Sequence, residues 1–237
     1  MSKNKKMNAV ITGASKGIGR AIASILARNG YNLAICARNS SELKTFQNEL
    51  QDFGVTVFAQ AIDCSKKEEV ISFFNSVKAK MPTIDVLINN VGTFIPGNFL
   101  DEEDEVFEIQ QQLNVNVAYY MSKNFGKMMR DARSGHIFNV CSVASRQTVE
   151  NAGSYSVTKT AMLSLNNVLR KELAQFNVKV TAILPGSTLT ASWEGTTIAA
   201  ETFVQPEDIA NSVYSILSLS SGVNVDEIVL TPLKFDK

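Results

Sequence analysis

The sequence predicts an α/β protein: one doubly wound domain with a central, mostly parallel seven-stranded sheet and helices on both faces. Three observations predict it. Short, almost wholly apolar runs rich in β-branched residues alternate with helical patterns from end to end, as strands buried on both faces require. No Pro/Ser/Gly-rich linker or internal repeat divides the 237 residues. A glycine-rich turn joins the first strand to the first helix.

Residues 8–13 (NAVITG) read as the first strand and 17–29 as the helix after it. Residues 31–37 (YNLAICA) form the second strand, and the helix over 40–52 has Ser40 or Ser41 as its cap. The third strand is 55–62, with a helix over 66–80; the fourth strand is 84–88, with one long helix over 103–130. Residues 136–141 (HIFNVC) are the fifth strand, 153–175 a helix and 178–184 the sixth strand. Pro206-Glu207-Asp208 opens another helix, with proline in the first turn and acids at the positive end of the dipole. Residues 226–230 close as the seventh strand. The least regular stretch, 186–204, is rich in Ser and Thr, carries the only tryptophan and reads as a lid.

Composition narrows the function. Lys plus Arg number 23 and Asp plus Glu number 23, so no basic excess exists to neutralise a nucleic-acid backbone. The chain opens with Lys3, Lys5 and Lys6, but the apolar stretch behind them stops at Thr12-Gly13, too short for a signal peptide. No run of apolar residues is long enough to span a membrane. Three cysteines without CxxC spacing suit a reducing cytoplasm, the expected location. A single histidine excludes histidine-rich metal sites, and no metal is expected.

Thr12–Gly19 reads TGASKGIG between a strand and a helix. Gly13 permits the tight turn, Gly17 lets backbone approach a pyrophosphate, and Gly19 lets helix and strand pack closely. The helix N-terminus then offers free N–H groups to phosphates. The spacing is GxxxGxG rather than GxGxxG, and a plain glycine turn is the alternative. The same residues contain a GxSxG match, the pattern of a nucleophile elbow. That reading needs a histidine at the C-terminal rim of the sheet. His136 starts the fifth strand, on the opposite rim, and is expected at the surface or a strand edge. The second strand ends Cys36-Ala37-Arg38 without a carboxylate, and Lys16 lies in the glycine loop. Two cations and no acid favour NADP(H) over NAD, unless both are ordinary surface bases.

Tyr155 and Lys159 stand four apart on one helix face, but so do Tyr119 and Lys123. Context separates them. Ser142 ends the fifth strand on the rim of the glycine loop, thirteen residues before Tyr155, which starts the next helix. Tyr119 and Lys123 fall inside the long preceding helix, as a surface or interface pair.

With these residues together, the sequence resembles a short-chain dehydrogenase/reductase over nearly its whole length, which implies a Rossmann-like fold. TGASKGIG matches the family's TGxxxGxG, and Ser15 and Ile18 join Gly13, Lys16, Gly17 and Gly19 in the implied cofactor site. Asp63 resembles the adenine-contacting acid, and Asn89-Asn90-Val91-Gly92 resembles NNAG with valine for alanine, which implicates Asn90 and Gly92. Pro185, Gly186 and Thr190 resemble the segment that holds the nicotinamide side. Counting back 28 residues from Ser142 puts Asn114 at the catalytic asparagine, with Asn116 as the alternative. Ser142, Tyr155 and Lys159 take the remaining catalytic positions.

The resemblance implies hydride transfer between nicotinamide and a carbonyl or secondary alcohol. An unperturbed tyrosine ionises near pH ~10, and a nearby lysine ammonium favours its phenolate. Lys159 is therefore expected to tune Tyr155 and to bind the nicotinamide ribose. Ser142 would donate to the carbonyl oxygen, and Asn114 would hold a water linking Lys159 to solvent.

The leading substrate is a 3-oxoacyl thioester, as in 3-oxoacyl-carrier-protein reductases. Small ketones, sugars or polyols are the alternative within enzymes, and a non-catalytic NADP-binding regulator is the alternative outside them. Members acting on carrier-bound chains often have a paired-glycine turn after the last strand, and residues 225–237 contain none. Tyr119 or Val117 also replaces a residue that is usually small. The acidic run 101–105 would suit a basic partner or, more simply, a helix N-terminus.

The resemblance also implies a homo-oligomer, tetramer or dimer, built on the helix over 103–130 and the one carrying Tyr155. Val157, Ala161, Leu165 and Val168 form an apolar stripe on the latter, facing either a partner or its own sheet.

Overall fold

A computed structural model describes residues 6–234 of the chain. Lys3, Lys5 and the last three residues of the C-terminal segment lie outside the described residues. Strand β1 (Asn8–Thr12) leads into α1 (Gly17–Arg28), β2 (Asn32–Ala37) into α2 (Ser40–Gln51), and β3 (Val57–Ala61) into α3 (Lys67–Lys80). After β4 (Val86–Asn89) come α4 (Asp104–Gln111), a π-helical turn (Gln112–Asn116) and α5 (Val117–Ala132). Then follow β5 (Gly135–Val140), α6 (Gly153–Leu173), β6 (Val178–Pro185), α7 (Pro206–Leu217) and β7 (Glu227–Leu230).

Among the described residues the strands form one seven-stranded sheet in the order β3-β2-β1-β4-β5-β6-β7, and every pairing is parallel. Alternate side chains along each strand feed opposite layers. Ala9 and Ile11 of β1 pack with Ile22 and Leu26 of α1, Phe46 of α2 and Val213 of α7. Val10 packs with Phe73 of α3 and Phe125 of α5 on the other face. Strands covered on both sides have no polar face to show, which explains their near-continuous apolar runs.

The order reverses between β1 and β4. In such sheets the ligand crevice opens at this switch point, outside the carboxyl ends of the strands. The glycine loop after β1, Asn90–Gly92 after β4, Ser142 after β5 and Gly186 after β6 all stand on that rim.

Three local expectations are corrected. The cap of α2 is Asn39, not Ser40 or Ser41. Its side-chain oxygen accepts from the Glu42 N–H at 3.1 Å, because Asn39 is the extended residue before the first turn. The single helix over 103–130 is interrupted at Gln112–Asn116, where the Val117 N–H reaches back five residues to the Gln112 carbonyl. One inserted residue is accommodated as a π-turn, a feature that often marks functional sites. His136 is neither surface nor edge: it is 5% exposed, inside the central strand β5. Its ring stacks on Phe138 at 4.0 Å, and Nε2 lies 2.8 Å from the Thr181 hydroxyl. That hydroxyl donates to the Val225 carbonyl, so Nε2 carries the hydrogen toward Thr181.

The stripe on α6 is not spent against the chain's own sheet at its ends, because Val157 and Val168 are each about half exposed. Among the described residues no helix is long and apolar enough to cross a membrane. The three cysteines are buried and free.

Candidate active site

The glycine loop is held by β4 as well as by its own turn. Gly13 (φ 66°) and Gly17 (φ 53°) adopt left-handed conformations that side chains resist. The Asn90 amide donates to the carbonyls of Thr12 (3.0 Å) and Gly13 (2.9 Å). A Cβ on Gly19 would lie 2.4 Å from the Gly13 carbonyl oxygen, so only glycine lets α1 start this close to the loop. No side chain caps α1, whose first N–H groups remain available on the rim. These features fit a dinucleotide pyrophosphate. Beside them stand exposed Lys16 and Arg38; Lys16 pairs with Glu42 at 2.9 Å. Asp63 follows β3 nearby, and hydrogen bonds from Ser65 hold its carboxyl below the usual range.

Beyond the loop, Ile18, Asn90, Gly92, Ser142, Tyr155, Lys159, Pro185, Gly186 and Thr190 line one cavity of about 380 Å³. Thus residues spread over most of the chain meet in one cavity. Lys159 is 5% exposed, and its ammonium donates to the Val140 carbonyl at 3.0 Å. It stands 5.7 Å from the centre of the Tyr155 ring. Ser142 caps the short turn after β5: its hydroxyl accepts from the Ala144 N–H, and Ser145 accepts from the Ser142 N–H.

Asn114 does not line the cavity. It sits behind, in the π-turn, buried and fully engaged. Its side-chain oxygen accepts from Thr93 N–H at 2.7 Å, and its amide donates to the Thr93 carbonyl and the Thr158 hydroxyl. Thr158 in turn donates to the Tyr155 carbonyl at 2.9 Å, so Asn114 braces both the loop after β4 and the helix bearing Tyr155. A Cβ on Gly92 would lie 2.9 Å from the Asn114 oxygen and 3.3 Å from the Lys159 nitrogen, which shows how closely these groups converge. Asn116 instead bonds to Gln111 and Gln112 of its own helix.

Some residues in and behind the wall are not assigned to the site from sequence. Phe94 meets the Tyr155 ring edge-on, with centres 4.9 Å apart. Trp193 reaches the cavity from the 186–204 segment, which is zipped shut at its base: Leu189 N–H donates to the Val204 carbonyl and Val204 N–H to the Ser187 carbonyl. Ser154, wholly buried in the first turn of α6, donates to the Glu102 carboxylate and ties the loop before α4 to that helix. Cys141 also lines the cavity, but burial pushes its thiol up to about 12, so it stays protonated.

A family model described as short chain dehydrogenase matches residues 7–199. The chain belongs to the short-chain dehydrogenase family. A relative from Staphylococcus saprophyticus, known only as an uncharacterized oxidoreductase, is 33% identical over 226 residues, covering 95% of this chain and 97% of its own. Among solved structures, this short-chain dehydrogenase resembles an alcohol dehydrogenase from the archaeon Thermococcus sibiricus complexed with 5-hydroxy-NADP. The TM-score is 0.90 at 29% identity, covering 98% of this chain and 99% of that one. It also resembles the L-sorbose reductase of Gluconobacter frateurii complexed with NADPH and L-sorbose. Here the TM-score is 0.89 at 27% identity, over 96% and 95% of the two chains.

Proposed function

We propose that this short-chain dehydrogenase is an NADP(H)-dependent oxidoreductase acting on a carbonyl or secondary-alcohol carbon. The observation that carries the reading is the meeting of Ser142, Tyr155 and Lys159 in one cavity beside the glycine loop. The NADP and NADPH complexes of the two solved relatives support the cofactor. Lys16 and Arg38 would hold its 2′-phosphate, with Lys16 exchanging its Glu42 pairing for the phosphate. The bound cofactor supplies or accepts a hydride at the nicotinamide ring.

In the reducing direction Tyr155 gives its hydroxyl proton to the substrate carbonyl oxygen as hydride reaches the carbon. Ser142 donates a hydrogen bond to the same oxygen and stabilises the charge developing there. Lys159 supplies positive charge beside the phenolate that remains and orients the ribose. Asn114 and Thr158 position these groups by bracing α6 against the loop after β4. A regulator that only binds nucleotide has no use for a serine hydroxyl beside Tyr155, which argues against that alternative.

Two substrate classes remain in the reading, 3-oxoacyl thioesters and small ketones, sugars or polyols. NADPH oxidation followed against a panel of ketones, diketones and 3-oxoacyl thioesters tests it. Turnover with any of them supports the proposal; NADPH binding without turnover across the panel overturns it. The half-exposed stripe on α6 supports assembly into a homo-oligomer. Sedimentation at micromolar concentration should give a mass well above the 25.9 kDa monomer, and a monomer mass overturns that part.

A further inference from the structure

We propose that the substrate is a free, uncharged ketone with an apolar, preferably aromatic, substituent, held against Phe94 and Trp193. The proposal rests on the carbonyl-reductase reading above and narrows it by the chemistry of the cavity wall. Among the described residues no Asp, Glu, Arg or His lines the cavity. The lining cation, Lys159, is buried and directed at the Val140 carbonyl. A substrate carboxylate placed beside Phe94 would therefore lose water without gaining a partner, a costly exchange.

Polyols fit poorly for a related reason. The Asn90 amide is committed to the Thr12 and Gly13 carbonyls, and the Thr188 hydroxyl to the Gly186 carbonyl. Ser142 and Tyr155 serve one oxygen, the reacting one. The rest of the wall combines the apolar side chains of Phe94, Val143, Val149, Ala152 and Trp193 with the hydroxyls of Thr93, Ser187, Thr190 and Ser192. Sugar hydroxyls that met the apolar part of this wall would lose their partners, and each unpaired one costs binding energy. By contrast, Phe94 already lies edge-on to Tyr155. A carbonyl bonded to the Tyr155 hydroxyl brings its substituent onto that aromatic surface.

The charge of the segments that supply the wall disfavours a second group of substrates. Segments 92–105, 143–155 and 186–204, which supply much of the cavity wall, hold eight carboxylates, of which Glu102 is bonded to Ser154, and a single base, Arg146. Arg146 is already paired with Glu227 at 2.5 Å. A thioester on coenzyme A or on a phosphopantetheine arm brings phosphate groups to this acidic rim, where like charge repels them. The rim therefore favours free ketones over carried acyl chains.

The test is a matched set of initial rates with NADPH: ethyl benzoylformate, its anion benzoylformate, acetoacetyl-coenzyme A and L-sorbose. The ester should exceed benzoylformate in kcat/KM by at least about 100-fold, since the two differ mainly in an unpaired charge. It should exceed the thioester and the sugar as well. Phe94 is 45% exposed, so Phe94→Ala leaves the fold intact. It should lower the ratio of kcat/KM for ethyl benzoylformate over butane-2,3-dione by about tenfold, through lost apolar contact. Equal or better turnover of benzoylformate, acetoacetyl-coenzyme A or L-sorbose overturns this inference and leaves the oxidoreductase reading standing. An unchanged ratio in Phe94→Ala also overturns it. Failure of every ketone to oxidise NADPH overturns both.

Discussion

Tyr119–Lys123 and Tyr155–Lys159 have the same spacing on two neighbouring helices, and locally they have nearly the same geometry. The lysine nitrogen lies 5.5 Å from the ring centre in the first pair and 5.7 Å in the second. Their surroundings differ. Tyr119 is 44% exposed, and Lys123 reaches only its hydroxyl, at 3.5 Å. Lys159 is buried, bonded to the end of β5 and held over the cavity that Ser142 also lines. A four-residue spacing sets two side chains side by side, while burial on the strand rim determines whether they have a substrate to act on.

The largest effect expected from this comparison is at Tyr155. Tyr155→Phe should lower kcat by ~10²–10⁴-fold, as loss of a proton donor does, with NADPH affinity nearly unchanged. Retention of more than about a tenth of wild-type kcat, far short of acid–base loss, breaks the mechanism. Lys159→Met should reduce turnover and weaken NADPH binding together, because its ammonium serves both. Fluorescence titration beside steady-state rates separates the two effects, and unaltered NADPH affinity would remove the ribose role.

Burial itself can be probed at His136 of β5, the strand between the two helices. Burial, with a smaller contribution from the Lys179 charge, lowers its ionisation to about 3. In the unfolded chain an imidazole titrates near ~6.5. Between these values the unfolded state binds the extra proton, so stability contributed by neutral His136 is complete above that range. It is lost progressively as pH falls toward 3, by about 1.4 kcal/mol per pH unit at most. Urea denaturation at several pH values should show this slope, and His136→Gln should flatten it. An identical slope in both proteins contradicts the buried neutral imidazole.

A smaller effect is expected at the far end of the cofactor groove. NADPH should bind about 10-fold more tightly than NADH, about 1.4 kcal/mol, and Arg38→Asp should erase the preference. Equal affinities in the wild-type protein remove the 2′-phosphate assignment. The smallest effect completes the comparison. Tyr119→Phe should leave kcat within about twofold of wild type, as surface changes away from a site do. A large loss there would mean that the exposed pair is not a bystander.

The order of strands and helices was legible in the sequence because each strand is a short apolar run between turn residues, a local signal. Gly13 and Gly17 were legible for the same reason, since their left-handed turn favours glycine whatever surrounds it, while Gly19 answers to the close approach of the Gly13 carbonyl and Asn90. So were the candidates Ser142, Tyr155 and Lys159, through their positions relative to strand ends. Tertiary structure alone decided the rest. The π-turn around Asn114 arises where α4 and α5 must both follow the sheet surface and still bring that side chain to Thr93 and Thr158. The burial of His136 follows from its interior strand and from the Thr181 hydroxyl of β6 that accepts from its ring, which no local pattern encodes. Phe94 is an ordinary loop residue in sequence, and it becomes a wall of the site only because the loop after β4 lies against α6. Local propensity and apolar period are written residue by residue. Contacts between segments far apart in the chain depend on how the sheet brings their ends together, and that determines what the cavity can hold.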